Sequence, residues 1–182
     1  MIEKNGVEIQ DNFLPKEQFK ILRDTMLGEQ FPWFYCSNIV EDVKEEDYTT
    51  SPGQLVHMIY DEYEPKSLFY DPLLYPIREQ LKADIWIRIK ANLHLRLPEH
   101  VYSKFHIDMM YFHKDIAANF TTSIFYLNTN NGYTELETGQ RIESVANRLV
   151  SFPLPTRHRG VTQTDEQTKA VINFGYLRKV KE

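Results

Sequence analysis

The sequence predicts a mainly β protein with flanking helices, built as a β-sandwich or jelly roll. Three observations predict it. Residues 85–97 place an apolar side chain at every second position, a series of short strand-like segments follows, and the two segments of helical periodicity lie ahead of both. Alternation at period two marks a strand with one buried face, whereas apolar residues at i, i+3 and i+7 mark one face of a helix.

In chain order, Pro15 opens the first helix, where a missing backbone N–H costs nothing. Phe19, Leu22 and Met26 form its apolar stripe and Gly28 its stop. The charge run Glu41–Asp47 and the polar stretch up to Gly53 read as a solvated, mobile loop, with a lid over a site as the alternative. A second helix is predicted over 73–82, with Leu74, Ile77 and Leu81 as its stripe and Pro72 and Pro76 limiting its start. The strand over 85–97 comes next, then strands over 104–112, 119–128, 133–137, 140–145, 149–152 and 168–177. Asn131-Gly132, Thr138-Gly139, Asn147-Arg148 and Pro153/Pro155 supply the turns between them. Many short strands punctuated this way indicate a sandwich or jelly roll. The expected organisation is one domain over 1–182, with 1–84 as a helical and β bracing region and 85–178 as the jelly-roll core, since 182 residues suit a single domain.

Composition narrows the function classes. Apolar residues make up 42% of the chain, which favours a packed core over disorder. No apolar stretch approaches the ~20 residues of a membrane helix. The opening MIEKNGVEIQ lacks the apolar core of a secretory signal, so a soluble, cytoplasmic protein is expected. A net charge of −5 argues against steering toward nucleic acid. Cys36 is the one cysteine, which excludes an internal disulfide and a Cys-rich zinc site; it is expected to be a half-buried packing residue.

The chemistry concentrates in His106-Ile107-Asp108. Residues i and i+2 of a strand project from one face, so an imidazole and a carboxylate enter the same space. His158, 50 residues after Asp108 and just past Pro153 and Pro155, is the best second imidazole. Two imidazoles and one carboxylate make a facial triad that leaves three positions open on six-coordinate iron. The alternative is a surface His106 and a loop-packed His158. His57, His100 and His113 lack comparable partners and are expected to be structural or surface residues. The polar row Arg88, Lys90, Asn92, His94 and Arg96 either lines the barrel lumen, where Asn92, His94 and Arg96 would border a pocket, or faces solvent.

Four strings occur in order: FHID, then FYLN, then NGYTELETGQRIESVANRLVSFPLPTRHRG, then Lys169, eleven residues after His158. They resemble the prolyl-hydroxylase-like branch of the iron(II)- and 2-oxoglutarate-dependent oxygenases. The resemblance is clear over 104–178 and looser over 9–84, where IQDNFLPKEQF matches the family's opening. It implies a double-stranded β-helix (jelly roll). It also implies that His106, Asp108 and His158 hold iron(II), that Lys169 pairs with the C5 carboxylate of 2-oxoglutarate, and that the Tyr126 hydroxyl contacts the same carboxylate. The implied reaction hydroxylates a C–H bond of a peptidyl residue, proline being one candidate, or of a small molecule. Succinate and carbon dioxide are its coproducts, and ascorbate is a candidate reductant. A buried dicarboxylate needs a cation and directed donors, which agrees with that set. Two departures stand out: many members carry arginine where Lys169 stands, and Arg96 replaces a strand tyrosine common about ten residues before the His-X-Asp. An oxidative nucleic-acid demethylase and a non-catalytic jelly-roll binding module are the rival readings.

Overall fold

The computed structural model describes residues 2–4, 6–37, 53–108 and 117–178. Strands β1 (Ile2–Lys4) and β2 (Val7–Gln10) precede helix α1 (Lys16–Met26). Strands β3 (Phe34–Cys36), β4 (Gln54–Asp61) and β5 (Glu64–Pro65) lead to helix α2 (Tyr70–Leu81). The remaining strands are β6 (Ile85–Leu95), β7 (Phe120–Tyr126), β8 (Tyr133–Leu136), β9 (Arg141–Glu143), β10 (Arg148–Pro153), β11 (His158–Val161) and β12 (Thr168–Leu177). The larger sheet has the order β1-β2-β10-β7-β12-β6-β4-β3, with β5 on β4; the smaller is β11-β8-β9. Neighbours pair antiparallel throughout. This is the expected jelly roll. No helix among the described residues is long and apolar enough to cross a membrane.

The helices cover the outer face of the larger sheet. α1 buries the predicted stripe Phe19, Leu22 and Met26, and α2 buries Leu73, Leu74, Ile77 and Leu81. They meet Ile89, Ala91, Leu93, Phe125, Ile172 and Phe174 in one core. Each of the larger of these buried side chains contributes about 1.5–3 kcal/mol. α1 ends where a Cβ on Gly28 would stand 2.7 Å from the Asp24 carbonyl oxygen. α2 starts a turn earlier than predicted, because Pro72 falls in the first turn, where no N–H is needed. A second core of Val7, Ile124, Tyr126, Leu136, Ile142, Val150 and Phe152 fills the space between the sheets.

Two expectations about strands need correction. Of the predicted strand 104–112, the described part makes only an isolated bridge, His106 with His158, and a second bridge, Tyr102 with Val161, lies just before it. Four steps on one side face three on the other, so one extra residue bulges out and no continuous ladder forms. The alternation of β6 also breaks. Its pairing with β12 shifts between Gly175 and Tyr176, so Gly175 faces Arg88 while Tyr176 faces Trp86. Trp86 therefore packs toward the helices, and Ile87 turns into a third cluster with Ala117 and Leu154. Ile85 and Leu95 at the strand ends are exposed. Cys36 is half-buried, as expected. Residues 41–52 of the predicted loop lie outside the described residues.

Candidate metal centre

The bulged segment before Asp108 and the start of β11 bring three side chains together. His106 and His158 form a bridge, each backbone N–H donating to the other's carbonyl at 2.9 and 3.0 Å. Their rings lie 4.8 Å apart, centroid to centroid. The His106 Nε2 is 3.4 Å from Asp108 Oδ1, and the His158 Nε2 is 3.6 Å from the same oxygen. The three ligand atoms all lie within 4.8 Å of one another. Ligands about 2.1 Å from one metal and at right angles would be about 3 Å apart, and the 3.4 and 3.6 Å separations from Asp108 Oδ1 come near that value.

The other ring nitrogens indicate which atom of each imidazole would face a metal. His106 Nδ1 lies 3.0 Å from the Lys104 carbonyl and His158 Nδ1 lies 3.1 Å from the Thr156 carbonyl. A carbonyl only accepts, so each Nδ1 carries the hydrogen and each Nε2 presents a lone pair. Asp108 is buried to 8% exposure and His158 to 3%. Burial pushes the Asp108 carboxyl up, but the His158 and His106 imidazoles outweigh it and hold it well below the usual range. Burial likewise opposes charge on His158, yet Asp108 raises its pKa.

The triad opens on a cavity lined by both sheets. Arg88, Lys90, Asn92 and His94 of β6 face it, as do Thr134 of β8 and Lys169, Val171 and Asn173 of β12. The polar row of β6 thus points inward. Lys169 is 4% exposed. Its Nζ donates to the carbonyls of Tyr133 at 2.9 Å and Val161 at 2.7 Å, and it has no carboxylate partner among the described residues. Burial lowers its pKa to about 7. Gly132 makes room for it: a Cβ there would lie 3.0 Å from Lys169 Cδ and 2.8 Å from the Val161 oxygen. His94, directly across from Lys169 in the ladder, is held neutral, its pKa lowered to about 3 by burial and then by the lysine charge. Asn92 Oδ1 and His94 Nδ1 are buried without a hydrogen-bond partner among the described residues.

No protein-family model and no curated protein matches the sequence. Solved structures do match. A viral collagen prolyl hydroxylase of Paramecium bursaria Chlorella virus-1, in its 2-oxoglutarate complex, aligns with a TM-score of 0.62 at 13% identity, over 96% of this chain and 97% of its own. A Trichoplax adhaerens prolyl hydroxylase, in complex with a peptide fragment of the hypoxia inducible factor oxygen degradation domain, gives 0.59 at 12% identity, over 95% and 84%. HygX of Streptomyces hygroscopicus, with nickel, 2-oxoglutarate and hygromycin B bound, gives 0.57 at 10% identity, over 96% and 83%. The chain has the prolyl hydroxylase fold.

Within the prolyl hydroxylase fold, the residues singled out in the sequence divide. His106, Asp108, His158, Lys169 and Asn92 share one cavity. Tyr126 is fully buried behind it, donating its hydroxyl to Thr134 Oγ1 at 2.7 Å, and burial pushes its phenol pKa up. It reaches the cavity only through Thr134. Arg96 does not line the cavity: β6 ends at Leu95, and the arginine is exposed. His57 is structural, its Nδ1 2.6 Å from the Pro32 carbonyl and its Nε2 2.7 Å from Ser67 Oγ. His100 Nδ1 lies 2.6 Å from the Thr162 carbonyl, and His113 is outside the described residues. Thr134 and Asn173 went unmarked in the sequence. Asn173 was within reach of the alternation rule, since Lys169, Val171 and Asn173 share a face of β12.

Proposed function

We propose that this protein is an iron(II)- and 2-oxoglutarate-dependent dioxygenase. One observation carries the reading: two imidazoles and a carboxylate with ligand atoms within 4.8 Å of one another open on the same cavity as a buried lysine. Iron(II), with 2-oxoglutarate and dioxygen, supplies the oxidising chemistry and leaves succinate and carbon dioxide. The protein's part is placement. His106, Asp108 and His158 hold the metal from one side, leaving the cavity side open. Lys169 receives the far carboxylate, since two of its three N–H donors go to carbonyls and the third is left for an anion. Thr134 adds a second donor: its oxygen accepts from Tyr126, so its own hydrogen is left for the ligand. Asn92 lines the same cavity, two positions before His94 on β6. Ile124, Val161 and Val171 wall it with apolar surface that limits water.

The substrate class is a peptidyl residue, proline being the first candidate, or a small molecule. Structural relatives hold one of each: the Trichoplax enzyme a peptide, HygX hygromycin B. We further propose that the chain acts as one cytoplasmic domain with ascorbate as reductant. The test is release of succinate from 2-oxoglutarate by the iron-loaded protein, first alone and then with panels of prolyl peptides and polar metabolites. Iron-dependent succinate release that is absent in His158→Ala is the expected result. Release that is equal with and without iron would overturn the proposal.

A further inference from the structure

Asp108 is the one member of the triad without backbone pairing among the described residues. His106 and His158 fix each other through their bridge, but Ile107 and Asp108 join no strand or bridge among the described residues. The carboxylate must be aimed from the larger sheet instead. Asn173 of β12 donates from Nδ2 to Asp108 Oδ2 at 3.2 Å, and Arg88 of β6 donates from Nη1 to the Asp108 backbone carbonyl at 3.1 Å. These strands are neighbours, with Asn173 opposite Lys90 and Gly175 opposite Arg88. The two carboxylate oxygens therefore have different surroundings. Oδ2 is tied to the asparagine, and Oδ1 faces both imidazole nitrogens at 3.4 and 3.6 Å.

We infer that Asn173 is a positioning residue that makes Asp108 a one-oxygen ligand of the metal, an inference resting on the metal centre proposed above. A carboxylate with both oxygens free can chelate and fill a second coordination position. Three positions must stay open for a two-pronged cosubstrate and a third ligand, so a chelating Asp108 would close one of them. Packing does not call for an amide here. The next residue on the same face is Val171, and Asn173 Oδ1 is buried with no partner among the described residues. The bond to Asp108 is the only hydrogen bond of that side chain among the described residues. It also sets the amide's orientation, because the oxygen turned toward Asp108 would repel the carboxylate. Side chains that orient metal ligands in this way typically control affinity by about ten- to a hundredfold.

The experiment is titration of the metal-free protein with manganese(II), followed by electron paramagnetic resonance and without cosubstrate, for wild type, Asn173→Ala and the volume-keeping Asn173→Leu. The visible spectrum of the cobalt(II)-loaded forms and the melting temperature of the metal-free forms are read alongside. The expected result is manganese affinity weakened about ten- to a hundredfold in both variants, a cobalt spectrum changed from wild type, and metal-free melting preserved in at least one variant. A structural role alone would lower melting and leave the cobalt spectrum of the folded fraction unchanged, which overturns the inference. So do wild-type affinity and spectrum in both variants. If wild type itself binds no manganese, the metal centre fails and the inference falls with it. If wild type binds and the variants match it, only the inference falls.

Discussion

Lys169 and His94 face each other across the β12–β6 ladder, and both line the cavity that holds the triad. His94 stays neutral there, so the lysine is the charge that a carboxylate entering this end meets. Lys169→Ala should raise the KM for 2-oxoglutarate by about ten- to a hundredfold, the range of a charged hydrogen bond worth about 1.5–3 kcal/mol. Manganese affinity should be nearly unchanged. Tyr126→Phe should have a smaller effect, because its hydroxyl ends on Thr134. Steady-state kinetics on the two variants check the order; a larger effect at Tyr126 would contradict it.

Much of this was legible in the sequence, and the failures have physical causes. β12 was predicted residue for residue because period two and flanking turns agree along it. The His106/Asp108 pair followed from the i, i+2 rule even though residues 104–108 form a single bridge rather than a strand, since the rule needs only locally extended backbone. β4 was missed because Leu55, Val56, Met58, Ile59 and Tyr60 form a nearly continuous apolar run, which has no period to detect. Arg96 was misplaced because the alternation in sequence outlasts the pairing, which stops at Leu95. The bulge that exchanges Trp86 and Ile87 depends on partner strands, and no local pattern announces it.

Asp108→Ala should abolish iron-dependent succinate release while the fold survives. The carboxylate touches the two imidazoles, Asn173 and cavity space, and no hydrophobic cluster rests on it. The metal-free variant should melt within about 4 °C of wild type, the shift that about 1 kcal/mol causes in a chain of this size. Differential scanning calorimetry beside a succinate assay decides this. Normal melting with wild-type turnover would remove Asp108 from the metal centre.

Asn147 ties the N-terminal segment to the sheet. Its Oδ1 accepts from the Leu14 N–H at 2.9 Å, its Nδ2 donates to the Leu14 carbonyl at 2.8 Å, and its own carbonyl accepts from the Phe13 N–H at 2.9 Å. It does so at φ 62°, in the left-handed region that asparagine adopts at lower cost than alanine. Asn147→Ala should cost about 2–4 kcal/mol, combining two lost buried hydrogen bonds with backbone strain. Asn147→Gly loses the bonds without the strain and should be about 1 kcal/mol less destabilised. Urea unfolding of the two variants measures the difference, and equal losses would show that the backbone angle contributes nothing.

Cosubstrate binding should depend on pH through Lys169. Burial lowers its pKa to about 7, from an ordinary 10.5. The groups facing it are neutral: the Tyr133 and Val161 carbonyls, the uncharged His94 ring across the ladder and the Asn92 amide on the same cavity wall. Below pH 7 the free protein already carries the ammonium, and 2-oxoglutarate binds without proton exchange at this site. Above pH 7 the lysine of the free protein is neutral, so the bound dianion must draw a proton onto it. The apparent Kd should then rise by about tenfold per pH unit. Stability runs in the opposite sense. A lysine whose folded pKa lies below its unfolded one penalises the fold while charged, and the penalty lifts as pH rises from about 7 toward 10.5. Metal-free wild type should therefore gain melting temperature relative to Lys169→Met across that window. Lys169→Arg keeps its charge at every accessible pH and should flatten the binding profile, even where its longer fork binds less well. Calorimetric titration at pH 8 in two buffers of different ionisation enthalpy reads the proton directly. Uptake approaching one proton per 2-oxoglutarate in wild type, and near zero in Lys169→Arg, is the expected result. Equal uptake in both would place the titrating group elsewhere.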